Sequence, residues 1–228
     1  MSVGPLIAIT QRIDVVASRG EVRDALDQAW GHFFRTAGAR LLILPNQLDD
    51  PVKYLVQLGV RGLVLSGGND LSRSFITRDG SRADVEERPD IVIQADRELL
   101  ESKLLAGSLM HGWPVLGVCR GMQAMNLFHG GRLQPVTGHT KIRHRLTCAA
   151  LLPNIGFEFD EEVNSFHDSG VPISGVAPGF DLLATAAEVA EAIWSPALRH
   201  LGVMWHPERN TPFSPNDLRM FQDLFGIL

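Results

Sequence analysis

The chain has 228 residues, is 45% apolar and carries 26 acidic against 21 basic side chains, a net charge of −5. That balance excludes a disordered chain, and the length supports a full core without covalent staples. Two cysteines cannot frame a disulfide scaffold, and no basic footprint for nucleic acid is present. Residues 1–12 lack the basic start and long apolar run of a signal peptide. No stretch approaches the ~20 apolar residues of a membrane helix. The expectation is one cytoplasmic domain over residues 1–228, with reduced thiols.

Short apolar runs alternate with helical stretches. Residues 6–10 form the first strand-like run. Residues 23–37 carry Leu26, Trp30, Phe33, Phe34 and Ala37 at the spacing of one helix face, with Gly38 as the C-cap. A strand at 41–44 ends at Pro45, a short helix covers 51–58, and a strand at 62–65 runs into Ser66-Gly67-Gly68-Asn69. Residues 71–88 are charged and small, which predicts an exposed flap. A helix starts near Pro89 and Asp90, since proline suits a first helical position, and runs to about Met110. A buried strand at 114–118 leads directly to Cys119. After Gly131 the pattern loosens, and residues 136–180 predict antiparallel hairpins and loops. Strands at 191–195 and 201–205 and a closing helix at 216–225 follow. Unalternating apolar runs separated by helices predict an α/β fold with an open, mostly parallel sheet covered on both faces.

The sharpest chemical feature is Gly117-Val118-Cys119-Arg120-Gly121. A strand ends and a helix begins at the cysteine, which is the cysteine form of a nucleophile elbow. The helix N-terminus favours thiolate over thiol. A buried structural cysteine is the alternative, but it would need no flanking glycines. A nucleophile needs a base and an orienter. His206-Pro207-Glu208 supplies both at a strand's carboxyl end, where open α/β sheets bind ligands. Pro207 keeps His206 extended, so Glu208, two residues on, points the same way. Taken alone, the tripeptide also suits a surface turn. The Arg120 amide is the natural first oxyanion donor, and Gly68, or else Gly67, the second. Gln123 lies one turn after Cys119 on the same face.

Together, Gly-Val-Cys-Arg-Gly-Met-Gln, His-Pro-Glu and Ser-Gly-Gly-Asn resemble the class I glutamine amidotransferases. Arginine after the cysteine makes the γ-glutamyl hydrolase branch, of the peptidase C26 type, the best match. Val163-Asn164-Ser165-Phe166-His167 resembles the family segment that lines the γ-glutamyl pocket. The likeness runs from Leu6 to Glu208; Ser66 stands where many relatives have proline. It implies a flavodoxin-like sheet with a hairpin insertion. It also implies a thiol hydrolysis with Cys119, His206 and Glu208 as triad and a γ-glutamyl thioester. Gly67, Asn69, Gln123, Ser165, Phe166 and His167 would bind substrate, with no metal or organic cofactor.

Which amine leaves is less defined. Ile9-Thr10-Gln11-Arg12, Arg23-Asp24, Leu44-Pro45-Asn46 and Leu65 to Leu71 resemble a bacterial subgroup. Its members act on glutamine amide-linked to CDP in making surface-polysaccharide phosphoramidate. Arg12 could then meet phosphate and Trp30 a base; a surface salt bridge and a core tryptophan are the plainer readings. Arg73, Arg78, Arg82 and Arg88 could close over an anionic substrate, or simply be solvated. His139 and His144 have no cysteine or carboxylate at ligand spacing, so no metal is expected there. Cys148 reads as core. The leading expectation is a γ-glutamyl hydrolase of a small-molecule, nucleotide-linked substrate. The alternatives are a γ-glutamyl-GABA or other γ-glutamyl-amine hydrolase, a synthetase's glutaminase subunit, and a non-catalytic module. A homodimer is the default assembly.

Overall fold

The computed structural model describes residues 4–83, 85, 94–148 and 158–227. In chain order its elements are β1 (Leu6–Ile9), β2 (Arg12–Val16), β3 (Glu21–Ala25), α1 (Ala29–Ala37), β4 (Arg40–Ile43), α2 (Pro51–Leu58), β5 (Gly62–Leu65), α3 (Ala95–His111), β6 (Val115–Val118) and α4 (Arg120–Phe128). There follow β7 (Gln134–Pro135), β8 (Thr140–Arg145), β9 (Thr147–Cys148), β10 (Glu162–Phe166), β11 (Ser169–Pro172), β12 (Asp181–Ala186), β13 (Val189–Ser195), β14 (His200–Val203) and α5 (Pro215–Phe225). No helix among the described residues is long and apolar enough to cross a membrane.

The main sheet runs β4-β1-β5-β6-β14-β13-β11-β7, and β12 joins it on β13. From β4 to β14 all neighbours are parallel, and beyond β14 they are antiparallel. Successive side chains of a strand face opposite sides, and here both sides are buried. Ile7, Ile9, Val64, Leu116 and Val118 pack with α1 and α5, against Trp30, Phe33, Phe34 and Phe221. Ala8, Leu63, Leu65 and Val115 pack with α2, α3 and α4, against Leu55, Leu104 and Met122. This two-sided burial is why the strands read as unbroken apolar runs. Parallel strands also bring their carboxyl ends to one edge, so Thr10, Ser66, Cys119 and Met204 follow β1, β5, β6 and β14 side by side.

The expected fold class holds, with local departures. Residues 21–25 are not helical: β3 pairs antiparallel with β2 along its whole length. Asp24 there accepts from the Asn46 amide and side chain at 2.9 and 2.6 Å, tying the hairpin to the loop after β4. The helix begins only after Asp27, which accepts from Ala29 N at 3.0 Å. The expected flap is not loose over its described part. Leu71, Phe75, Ala83 and Val85 are buried in the core, Ser72 is bonded twice to Glu98, and Arg73 Nε donates to Val85 O. Four apolar anchors outweigh the intervening charge. Arg88 and the expected helix start at Pro89 lie outside the described residues. Strand β12 carried no clear signal. Cys148 is exposed on the two-residue β9, not in the core, because a strand that short pairs on β12 without covering it.

The glycines around Cys119 serve close approach. A Cβ on Gly121 would lie 2.0 Å from Leu65 O, and one on Gly117 would lie 2.7 Å from Gly121 O. The start of α4 is thereby pressed onto β5 and β6. Gly121→Ala should destabilise the chain by about 2–3 kcal/mol, since backbone must move. A urea-unfolding midpoint unchanged from the parent would contradict that packing.

Candidate active site

Cys119 stands between β6 and α4 with φ 53° and ψ −110°. A non-glycine residue there costs of order 1–3 kcal/mol and is held only by its surroundings. Its N–H donates to Val203 O at 2.8 Å, and its carbonyl accepts from Gln123 N at 3.1 Å. The side chain is 7% exposed, at the mouth of a cleft of about 320 Å³.

His206 ends the irregular segment after β14. The Asn164 side chain grips its backbone from both sides: Nδ2 donates to His206 O and Oδ1 accepts from His206 N, each at 2.9 Å. Nδ1 lies 2.8 Å from Glu208 Oε1. His206 itself is extended as expected, with φ −108° and ψ 93°, but Pro207–Arg209 then form a single 3₁₀ turn, which still delivers the carboxylate. A Cβ on Gly67 would lie 2.6 Å from His206 Cε1 and 3.5 Å from Cys119 Cβ. Imidazole and cysteine therefore crowd the same side of that glycine. Burial opposes charge on the imidazole, but hydrogen bonds to Cys119 and Glu208 outweigh it and raise its pKa to about 9.

The loop after β5 is held by a buried arginine that sequence reading missed. Arg97 Nη2 donates to Ser66 O at 2.6 Å and to Gly67 O at 3.1 Å. Nη1 donates to Gly68 O and to Asn69 Oδ1. Arg97 Nε donates to Glu101 Oε1 at 3.0 Å, and Arg120 Nη1 donates to Glu101 Oε2. Thr10 Oγ1 also donates to Glu101 and accepts from Ser66 N. Burial works against the Glu101 charge, yet Arg120 and Arg97 outweigh it and hold its pKa below the usual value. Burial and then Arg120 lower the Arg97 pKa to about 10, leaving it charged at neutral pH. The available signal was a stripe: 97, 101, 104 and 108 share one face of α3 with the core leucines. A charged pair on such a stripe is a buried pair.

The other expected residues divide. Gln123 is buried and its Nε2 donates to Ser169 O at 2.7 Å. Ser165 is buried and its hydroxyl donates to His139 O. Phe166 is exposed at the cleft, edge-on to the His206 ring with centroids 5.6 Å apart, and the Arg209 guanidinium lies 4.6 Å above its ring. Asn69 lines the cleft, but its side chain bonds Ile13 N and O. Arg12 is half-exposed, paired with Asp14 at 2.7 Å, and packs against Gly68. A second cleft of about 260 Å³ opens beside Gly67 and Gly68, lined by Arg12, Asp14, Asp27, Trp30 and Arg209. Trp30 is 1% exposed and packs edge-on to Phe33 and Phe34, so it is a core residue with one face at the cleft. His139, His144 and His167 gather on Glu191 of β13; the carboxylate absent at ligand spacing along the chain arrives from the sheet.

The chain is similar to known proteins along most of its length. The Peptidase C26 family profile matches residues 5–208. A Mycobacterium tuberculosis protein assigned as a glutamine amidotransferase is 32% identical over 206 residues, which cover 82% of this chain and 62% of that protein. The chain thus spans under two thirds of that relative's length. The gamma-glutamyl-CDP-amidate hydrolase of Campylobacter jejuni is 25% identical over 97% of this chain and 98% of its own. The crystal structure of a Thermoplasma acidophilum protein assigned as part of a GMP synthase superposes with a TM-score of 0.67. It is 19% identical and covers 98% of this chain and 94% of that one.

Two outcomes follow from the site's electrostatics. The His206 imidazolium should persist to about pH 9 in the intact chain and titrate lower in Cys119→Ala, read by ¹⁵N NMR of the ring. Because the folded pKa is raised, the linked stability is complete below about pH 6.5 and is lost as pH rises through about 9. Glu101→Gln leaves two buried guanidinium groups short of their counter-charge and should cost roughly 3–5 kcal/mol in urea unfolding. A loss under 1 kcal/mol would mean the network is not formed.

Proposed function

The chain belongs to the Peptidase C26 family of glutamine amidotransferase-like hydrolases, and we propose that it hydrolyses a γ-glutamyl amide with Cys119 as the nucleophile. The observation that carries this reading is the strained Cys119 beside an imidazole whose other nitrogen is held by Glu208.

In this reading the Cys119 thiolate attacks the γ-carbonyl carbon. The oxyanion is met by the N–H groups of Gly68 and Arg120. A trans peptide sets N–H opposite C=O, so capture of the Gly67 carbonyl by Arg97 turns the Gly68 N–H away from α3. The imidazolium of His206 protonates the leaving amine as the C–N bond breaks. Water then gives a proton to His206 and attacks the thioester, releasing glutamate and the thiolate. The Ser165–Phe166 backbone holds the glutamyl end, while the expected substrate contact from His167 is not made, because its ring nitrogens face Ser169 O and Glu191. Gln123, whose donor side is engaged by Ser169 O, fixes that wall. Arg120 lines the cleft with Nη1 on Glu101, and its Nε and Nη2, without hydrogen bonds among the described residues, leave it a cation for a carboxylate.

On the amine side, Arg12 and Arg209 line both clefts and support an anionic leaving group. A nucleotide-linked amine such as the CDP amidate fits this best, in line with the full-length Campylobacter relative. Asp14 and Asp27 line the same cleft and favour a second reading, an aliphatic amine.

Glutamate release from glutamine, γ-glutamyl-GABA, γ-glutamyl peptides and γ-glutamyl-CDP-amidate separates the two. The nucleotide substrate should be preferred, and Arg12→Ala should raise its KM with little change for γ-glutamyl-GABA. Cys119→Ala should lower turnover by ~10³-fold or more while leaving the fold intact. Full activity in that variant would remove the proposal. Alkylation should be read in a Cys148→Ser background, because Cys148 is exposed; the remaining Cys119 should then react fast.

A further inference from the structure

Outside the reaction machinery, one cluster of side chains lacks the partner its chemistry demands. Glu191 on β13 is fully buried, and among the described residues neither carboxylate oxygen makes a hydrogen bond. Three histidines face it. Nδ1 of His139 lies 3.3 Å from Oε1, Nε2 of His144 lies 3.3 Å from Oε2, and Nε2 of His167 lies 3.5 Å from Oε1. Each of those ring nitrogens is itself buried without a hydrogen bond. His139 and His167 are 7% and 4% exposed.

A buried carboxylate with no donor costs several kcal/mol, so a cation must belong there. A proton on one ring is a poor fit. It would give a directed, charge-assisted bond of about 2.7–2.9 Å, and the contacts are longer and undirected. The spacing instead matches donors around one ion. Bonds of 2.0–2.1 Å in a tetrahedral zinc site place neighbouring donor atoms roughly 3.3–3.4 Å apart. The donor atoms of His139, His144 and Glu191 all lie within 4.8 Å of one another; His167 stands outside that group, reaching Glu191 Oε1 at 3.5 Å, and would have to close on the ion as the fourth ligand. His167 is also oriented as ligand histidines are. Its Nδ1 lies 3.1 Å from the Ser169 carbonyl, which can only accept, so Nδ1 carries the proton and Nε2 presents a lone pair to the cluster.

We propose that His139, His144, His167 and Glu191 bind one divalent ion of the zinc class. Three imidazoles and a carboxylate suit zinc and its neighbours and disfavour magnesium and calcium, which take oxygen donors. The ion is structural. His139 immediately precedes β8, His144 lies near its end, His167 follows β10, and Glu191 lies in the main sheet. It fastens the β8–β10 pair to β13. The Ser169 carbonyl accepts from Gln123 while facing His167, so the ion also stiffens the cleft wall from behind.

The test uses the full chain, stripped with a chelator and titrated with zinc chloride by calorimetry. One equivalent should bind, with a raised Tm, and magnesium chloride should do neither. ¹⁵N NMR of the intact chain should shift Nδ1 of His139 and Nε2 of His144 and His167 on zinc addition. The partly exposed His144, changed in His144→Ala, and Glu191→Gln should each weaken zinc binding roughly 100-fold or more. No zinc uptake by the stripped parent overturns the proposal. So does uptake that shifts only other histidines, such as His32 or His111, or that survives both substitutions. The parent's own titration and spectrum decide the matter even if a variant fails to fold.

Discussion

The guanidinium of Arg97 is the contact on which the reacting edge depends. The loop after β5 must turn three successive carbonyls, those of Ser66, Gly67 and Gly68, away from the cleft. Each carbonyl buried without a donor would cost about 1–3 kcal/mol. One arginine satisfies all three and Asn69 besides. It can be buried only because Glu101 neutralises it, and Glu101 is shared with Arg120, the first residue of the helix that follows Cys119. Loop, cysteine and α3 are thereby one electrostatic unit. A lone hydrophobic packing of these elements would leave the loop free to rotate its peptides.

The strain at Cys119 is distributed over the same neighbourhood. Its φ of 53° places the sulfur side chain above the sheet edge, and the backbone is held there by Val203 O and Gln123 N. The bare backbones of Gly117 and Gly121 let α4 press on β5 and β6 more closely than any Cβ would allow. Tight packing and strain are thus two sides of one constraint. His206 is fixed by a separate device: Asn164, from the inserted hairpin, closes both hydrogen bonds of its peptide groups. The insertion is consequently part of the candidate site, and whatever holds β8 and β10 to β13 also holds His206.

Much of this was legible in the residue order. Continuous apolar runs at 62–65 and 114–118 require two-sided burial, and that implies a parallel sheet with helices on both faces. Gly-x-Cys-x-Gly after such a run, and His-Pro-Glu after another, place reactive groups at carboxyl ends of strands. The expected helix at 51–58 is α2 to the residue, and the structure adds its Asp50 cap and αL exit at Gly59. The failures were equally physical. Leu26 and Trp30 lie at helical spacing, yet residues 21–25 found hydrogen bonds across to β2. Four apolar side chains in a charged segment anchor the expected flap to the core, while Arg73, Arg78 and Arg82 stay exposed as expected.

The sequence by itself determined the sheet, its order of reactive motifs and the chemical type of each group, because strand burial, caps and elbow turns depend on near neighbours. Tertiary structure alone decided the partners. Arg97 reaches across some 30 residues to the loop after β5, Asn164 across 42 to His206, and Glu191 gathers histidines from two other segments. Such charges and amides look solvated in one dimension. Only the fold removes the water and brings the counter-group, and the energy of a buried polar atom is set by that counter-group.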